Sequence, residues 1–344
     1  MRHRRGSWVF SILCLALLTA WAAWGANPCS AQEKKPYQIE IYTFKVGTLT
    51  YAMGVALAEM INKQSSWLRA TAIEASSGAV TPKILAMEPA ARKKIIGFMD
   101  RWEPETGYPP FKEPYLGIRG MAVIGFVTNG FVTLNPNIKT VKDFSGKKVG
   151  LGTSPSMARV DLPKAAVLRA GAKDVKFMEL GFEDGVRALG DGLVDSLLSA
   201  TFMSDAKNLK FAPNPALGEL MATKNVSFVS FDRKAFDEAQ KEIAKGTVMD
   251  YYSYEIPAGA LPKQAGPWIV QGGPITWNCD REMPDDVVYE VLRIMGSNTA
   301  GFEKYHPLGK TITPENMAKL GNESVLHPGA LKYYREKGIK IGSF

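Results

Sequence analysis

The chain has 344 residues, 42 of them Lys or Arg against 34 Asp or Glu, for a formal charge of +8. The positive charge is spread along the chain, with no long Lys/Arg run interleaved with aromatics, which excludes a nucleic-acid-binding stripe. Apolar residues make up 46% of the total, enough for ordinary packed cores, and at this length two domains are expected.

Arg2, Arg4 and Arg5 precede an apolar run from Trp8 to Ala23, interrupted only by Ser11 and Thr19. Cys29, Ser30 and Ala31 then supply small residues of the kind a signal peptidase reads. The run is shorter than the ~18–20 residues of a membrane span, so residues 1–31 read as an export signal cleaved near Ala31, which places the mature protein in the periplasm. Cleavage lowers the charge to +5 and removes Cys14 and Cys29. Cys279 is then the lone thiol, with no disulfide partner, and its apolar neighbours suit a buried small side chain.

Tyr37–Phe44 alternates and is rich in β-formers, which predicts a strand. Met53, Ala56, Leu57, Met60 and Ile61 mark one face of a helix after a loop over 45–50. Leu68–Ala75 is a second strand and Ser76-Ser77-Gly78 a turn. Thr81-Pro82 reads as a helix start with Thr81 as cap, and Ile95–Met99 as a third strand. Residues 101–114, rich in Pro and charge, read as an irregular loop, and Arg119–Leu134 as a long crossover strand. The rhythm restarts with strands at 147–152, 175–180, 194–200 and 226–232. Helices are expected at 155–170, 182–189, within 203–223 (broken near Pro213 and Pro215) and at 233–245. Trp268–Cys279 is a second crossover, and Pro284 opens a further helix with Asp285 and Asp286 in its first turn. Strand–helix alternation in two blocks predicts an α/β fold of two lobes, residues 32–130 with 268–344 and residues 131–267, with a hinge and a cleft between them.

Several words fit such a cleft. Gly150-Leu151-Gly152-Thr153-Ser154-Pro155-Ser156 joins a strand to a helix, with Ser154 as cap. Thr153, Ser154 and Ser156 would present donors to an anion there, although a plain tight turn fits the residues as well. The spacing is neither a dinucleotide fingerprint nor a phosphate loop. Arg159, at the start of the following helix, suits either a salt bridge to a ligand carboxylate or a solvated surface. Ser76 and Ser77 offer hydroxyls in a turn. Thr48 and Tyr51 read equally as a cap with a half-buried ring or as ligand contacts. Asp100 and Arg101 suit a solvated pair, Trp102 is a candidate aromatic wall, and Thr201 and Phe202 end a strand that points toward the cleft.

His327-Pro328-Gly329-Ala330, continued through Gly338, reads as a turn and a terminal helix. That word resembles the closing signature of TAXI-family solute receptors, the extracytoplasmic subunits of TRAP transporters. Asp143–Val149 leading into Gly150 and Gly152, Ala188–Asp195 and Ile256–Gly259 are similar to further words of that family. Ser76–Ala79 and Phe98–Trp102 depart from it. The resemblance implies a two-lobed fold like the type II periplasmic binding proteins. It also implies a small organic anion (an amino acid or carboxylate) as ligand, and ion-gradient-driven TRAP permease subunits as partners. A monomer with no cofactor and no metal is expected. A substrate-binding protein of an ABC transporter, or a ligand-binding subunit of a membrane sensor, is the alternative. Two His remain after cleavage, His306 and His327, each before Pro, and no H-E-x-x-H, G-x-S-x-G or paired-Cys motif occurs. The chain therefore reads as a binding protein and not an enzyme.

Overall fold

Two long strands organise the molecule. The structure, a computed structural model, describes residues 34–75, 80–98 and 101–344. The expected export signal, the turn at Ser76, Ser77, Gly78 and Ala79, and Asp100 lie outside the described residues. Gln38–Phe344 form one unit.

In chain order the elements are β1 (Tyr37–Thr43), α1 (Leu49–Gln64), β2 (Leu68–Glu74), α2 (Val80–Leu85), α3 (Pro89–Arg92), β3 (Ile95–Gly97), α4 (Trp102–Thr106) and β4 (Ile118–Thr133). They continue as β5 (Lys148–Leu151), α5 (Leu162–Arg169), β6 (Lys176–Glu179), α6 (Phe182–Gly190), β7 (Ser196–Asp205), β8 (Lys210–Pro213), α7 (Pro215–Thr223) and β9 (Ser227–Val229). The last third holds α8 (Arg233–Ala244), β10 (Tyr252–Ile256), β11 (Trp268–Asp280), α9 (Asp285–Ser297), α10 (Pro314–Met317) and α11 (Pro328–Glu336). The strands join in one sheet ordered β2-β1-β3-β11-β4-β7-β5-β6, with β10 on β11, β8 on β7 and β9 on β4.

The fold is α/β, as the strand–helix alternation predicts, and its two strand groups share β4 and β11. The Asn278–Cys279 end of β11 pairs with β3, and the Val127–Thr133 end of β4 pairs with β7. Between these ends the β4–β11 ladder shifts register at Ile275/Thr276 and again at Trp277/Asn278. Pro274, which cannot donate to a ladder, sits beside the first shift. Nearly every residue of β4 is buried, because helices and loops cover both faces. One group closes over Tyr42, Ile84, Ile95 and Ile118. The other closes over Phe131, Phe144, Val149 and Phe236, and over Val132, Leu197, Phe211 and Trp268.

Local chemistry moves some expected boundaries. α2 begins at Val80, so Thr81 lies inside its first turn and is not the cap. The chain over 203–213 is not helical. β7 runs on to Asp205, and β8 returns antiparallel beside it after a turn in which Asp205 accepts from the backbone of Lys207 and Asn208. β10 was not anticipated; its register against β11 from Tyr252↔Gly272 to Ile256↔Trp268 supplies the order that its mixed sequence does not advertise.

The His327–Ala330 word is a packing device. His327 is the N-cap of α11, its Nδ1 accepting from the Gly329 N–H at 3.1 Å. Pro328 occupies the first helical position, where no N–H is needed. A Cβ at Gly329 would collide with the Asp285 carbonyl oxygen, so glycine lets α11 touch the start of α9. Ala330 is fully buried, and the Tyr334 hydroxyl donates to the carbonyls of Met121 at 2.7 Å and Met317 at 3.0 Å.

Two predictions arise from this corner. Gly329→Ala should destabilise the protein by ~1–3 kcal/mol in urea unfolding, because backbone on α9 must move. Burial holds the His327 imidazole below its ordinary range. The unfolded chain therefore takes up a proton near pH ~6.5 that the folded chain refuses, so the stabilisation is full above that pH and is lost as pH falls toward the folded value. His327→Asn keeps a capping side chain and should flatten the decline in unfolding midpoint between about pH 7 and pH 5.5. The residue of that slope belongs to His306, which burial depresses in the same direction. An unchanged slope would remove His327 as its source.

Candidate functional site

A cleft of about 270 Å³ opens over the middle of the sheet. Its floor is made of alternate residues on neighbouring strands, Val127 and Asn129 of β4 and Ala200 and Phe202 of β7. Val127 pairs with Phe202 and Asn129 with Ala200, which places all four on one sheet face. Thr201 points the other way. It is fully buried, and its hydroxyl meets that of Thr128 at 2.6 Å beneath the floor. The expectation that Thr201 faces the cleft is corrected by this alternation; Phe202 is the residue that does.

The first wall rises from the ends of β1 and β3 and the start of α1. Phe44 and Phe98 meet edge to face with centroids 4.9 Å apart, and both line the cleft. Thr48 caps α1, accepting from Tyr51 N at 3.3 Å and donating to the Lys45 carbonyl at 2.7 Å. Its hydroxyl lies 3.1 Å from that of Thr50, which also accepts from Phe44 N. The first turn of α1 carries no acid, so the positive end of a 16-residue helix stands at this wall. Tyr51 is half-buried and contributes no lining surface.

The second wall is the turn after β5. Its helix starts later than the Pro155 position suggests, as a π-helical turn over Met157–Asp161 that runs into α5. Ser156 is the cap, its Oγ accepting from Arg159 N at 3.3 Å. Ser154 is not the cap. Its N–H and hydroxyl both donate to the Glu179 carboxylate, at 2.8 and 2.7 Å, so an internal acid already occupies those donors. The Met157 N–H is likewise taken, by Glu103 Oε1 at 3.0 Å. Thr153, Ser156 and Arg159 line the cleft. A Cβ at Gly152 would come within 2.6 Å of Arg159 Cβ and 3.1 Å of its Cζ, so the arginine folds back over the glycine. Burial pushes its guanidinium down to about 10, which leaves it cationic at neutral pH.

The third boundary is a strap over 101–113, expected as an irregular loop. It contains α4, closed by Gly107 in the left-handed region at φ +67°. Trp102 is buried in the core beneath β5 and α8, packs on Tyr108, and donates through Nε1 to Thr247 at 2.7 Å. It is an anchor and not the aromatic wall that its sequence position suggests. Arg101 is not a solvated residue either; it is buried between Glu105 at 2.7 Å and Asp250 at 3.0 Å. Tyr108 donates to Asp161. Pro110 of the strap reaches the cleft, as does Tyr251, whose Cδ1 lies 2.9 Å from where a Cβ on Gly273 would stand.

Of the residues singled out from sequence, Thr48, Thr153, Ser156, Arg159 and Phe202 meet in the cleft, while Tyr51, Trp102, Ser154 and Thr201 do not line it. Phe44, Phe98, Asn129 and Tyr251 were missed. Asn129 carried a readable signal: it is an amide in the middle of a long apolar strand. Cys279 is fully buried, with its thiol held well above its usual range by burial, and neither it nor His327 lines the cleft. Among the described residues no group of three His, Cys, Asp or Glu is placed to hold a metal ion, and no helix is long and apolar enough to cross a membrane.

Anchoring through Trp102 is testable. Trp102→Ala should cost ~3–5 kcal/mol in denaturant unfolding, and Trp102→Phe about 1 kcal/mol through loss of the bond to Thr247. A Trp102→Ala protein of native stability would show that the strap is not held by this side chain.

Comparison with known proteins identifies the family. The NMT1-like family model matches residues 41–338, and the chain belongs to that family. Among solved structures it is similar to a putative sulfonate ABC transporter periplasmic sulfonate-binding protein of Methylobacillus flagellatus, at 15% identity over 88% of this chain and 86% of that one, with a TM-score of 0.46. It is similar to a TctC solute-binding protein from Polaromonas at 14% identity, covering 89% of this chain and 99% of the other, with a TM-score of 0.46. The periplasmic aliphatic sulphonate-binding protein of Escherichia coli matches at 14% identity over 89% of each chain, with a TM-score of 0.44.

Proposed function

We propose that this NMT1-like protein is an extracytoplasmic solute receptor that closes on a small organic acid and delivers it to an ion-gradient-driven permease of the TRAP type. The observation that carries the reading is the cleft itself. A half-buried arginine stands in a wall with hydroxyl side chains and faces Phe44 and Phe98 across a floor of β4 and β7. Its volume of about 270 Å³ lies near the low end of the ~300–1,000 Å³ usual for small-molecule sites.

The ligand's carboxylate pairs with Arg159, with Thr48, Thr50 and the N-terminus of α1 at the facing wall. Phe44, Phe98 and Phe202 cover its apolar part. Closure swings residues 131–267, together with the strap, toward the remainder. Gly125, Gly272, Gly273 and Pro274 soften β4 and β11 near the register shifts, so the bend falls there. The TRAP partner rests on the similarity of Asp143–Val149, Ala188–Asp195, Ile256–Gly259 and His327–Gly338 to TAXI receptors.

The test begins with mass spectrometry of small molecules released on denaturing freshly purified protein, followed by thermal shift of the stripped protein with the compound found. A ligand at ~100 times its Kd adds about 2.7 kcal/mol and raises Tm by several degrees. Arg159→Leu should abolish that shift while the variant stays folded. A released acid whose shift survives Arg159→Leu would move the anion site elsewhere. No released compound, and no shift across carboxylic and amino acids, would overturn the receptor reading. In proteoliposomes, receptor-dependent uptake that runs on an ion gradient without ATP supports the TRAP partner; a requirement for ATP overturns it.

A further inference from the structure

Two adjacent amides, Asn129 in the floor of the cleft and Gln271 buried beside it, make no side-chain hydrogen bond among the described residues. Asn129 lines the cleft, is only 6% exposed, and its carboxamide has no hydrogen-bond partner among the described residues. Gln271 is fully buried, and neither its Oε1 nor its Nε2 has a partner among them. The two residues are register partners across β11 and β4, so their side chains stand side by side on the same sheet face. That is the face carrying Val127, Ala200 and Phe202. The unsatisfied buried amide of Gln271 costs stability, and the Asn129 amide beside it faces the cleft, so the pair offers a hydrogen-bonding point to a guest.

The site's charges restrict that guest. Arg159 is the one cation among the described lining residues, and Glu103 the one anion. Arg159 folds over Gly152, at the end of β5, and β7 separates β5 from β4. Two strand spacings, roughly 10 Å, therefore lie between the guanidinium's support and Asn129. A guest touching both has a body several bonds long, which Phe202 and the facing Phe44 and Phe98 can cover. Among the described residues no second cation lines the cleft to meet a second carboxylate at the amide floor, and burying an unpaired charge is far costlier than burying a neutral polar group.

We propose that Asn129, with Gln271 beside it, is a second recognition point that reads a neutral hydrogen-bonding group. The ligand is then a monocarboxylic acid whose other end carries an amide, hydroxyl or carbonyl, in preference to a dicarboxylate. This rests on the receptor reading above and adds the identity of the ligand's far end.

The test is calorimetric titration of the stripped, full mature chain with four acids of one length: pentanoic acid, its terminal hydroxy acid, glutaric acid and the monoamide of glutaric acid. The monoamide and the hydroxy acid should bind about ten-fold or more tighter than pentanoic and glutaric acids. Asn129→Leu should erase that preference, so that the monoamide and the hydroxy acid bind no tighter than pentanoic acid. Asn129→Ser carries the same comparison if the leucine variant does not fold. Gln271→Leu should raise the Tm of the ligand-free protein, by removing two unsatisfied atoms, while weakening the monoamide; a purely structural glutamine would lower Tm instead. Tightest binding by glutaric acid, or a preference that survives both Asn129 variants, overturns the amide floor and leaves the receptor standing if binding still requires Arg159. If none of the four binds but a co-purified compound does, the receptor stands and the proposed ligand class falls. If nothing binds at all, both fall.

Discussion

β4 and β11 are antiparallel neighbours from Gln271↔Asn129 to Asp280↔Ile118, and each strand group depends on one end of that ladder. Both strands are buried along nearly their whole length, so a break in their pairing would strand backbone polar groups away from water, at a cost comparable to a lost hydrogen bond each. The ladder is nonetheless weakest in the middle, where Pro274 lacks a donor and glycine replaces side chains that could not fit. At Gly272 a Cβ would lie 2.8 Å from Tyr254 Cβ and 2.9 Å from Phe126 Cζ. The same close packing that demands glycine removes the side-chain contacts that would stiffen the strands. The cleft lies over this softened stretch, with Ile275 and Pro274 in its lining.

The strap shows how magnitudes sort competing contacts. Arg101 sits between two acids, and burial raises the Glu105 carboxyl even against the neighbouring guanidinium. Taking such charges out of water offsets most of their attraction, so the triad is a poor source of net stability. Trp102 carries no such penalty. Its ring is buried in the core beneath β5, and its N–H is satisfied. The apolar burial therefore fixes the strap, and the ion pairs set its orientation. Glu103 then falls opposite the Met157 N–H as a consequence of where Trp102 is seated.

Much of this was legible in the sequence because it depended on periodicity and length. The apolar runs at 119–134 and 268–279, the amphipathic face of α1 and the terminal His327–Ala330 turn all announce themselves through local pattern. The misreadings share one cause, which is that a tertiary partner overrode a local preference. Ser154 has capping chemistry, but Glu179 from the neighbouring β6 claims it and Ser156 caps instead. Residues 101–106 look like a polar loop until Trp102 finds a core to enter. Met203 continues a strand because β8, whose Phe211 pairs with it, comes back beside β7. Phe44, Phe98 and Tyr251 become cleft residues only through contacts between distant segments, which no window of sequence contains.

Seating Trp102 in the core beneath β5 also constrains the proposed closure of the cleft. The strap begins just after β3, in the first strand group, yet its buried anchor and its bonds to Asp161, Thr247 and Asp250 all lie in the second. Moving the groups apart by extracting Trp102 would expose a large aromatic surface worth several kcal/mol, ~3–5 by analogy with truncation of buried aromatics. Bending β4 and β11 at glycines and register shifts breaks no comparable contact. The lower-cost motion therefore keeps the strap with the second group and concentrates the change in the central strands. In the proposed closure, Pro110 of the strap, Arg159 and Phe202 would move as one surface toward Phe44, Phe98 and the N-terminus of α1.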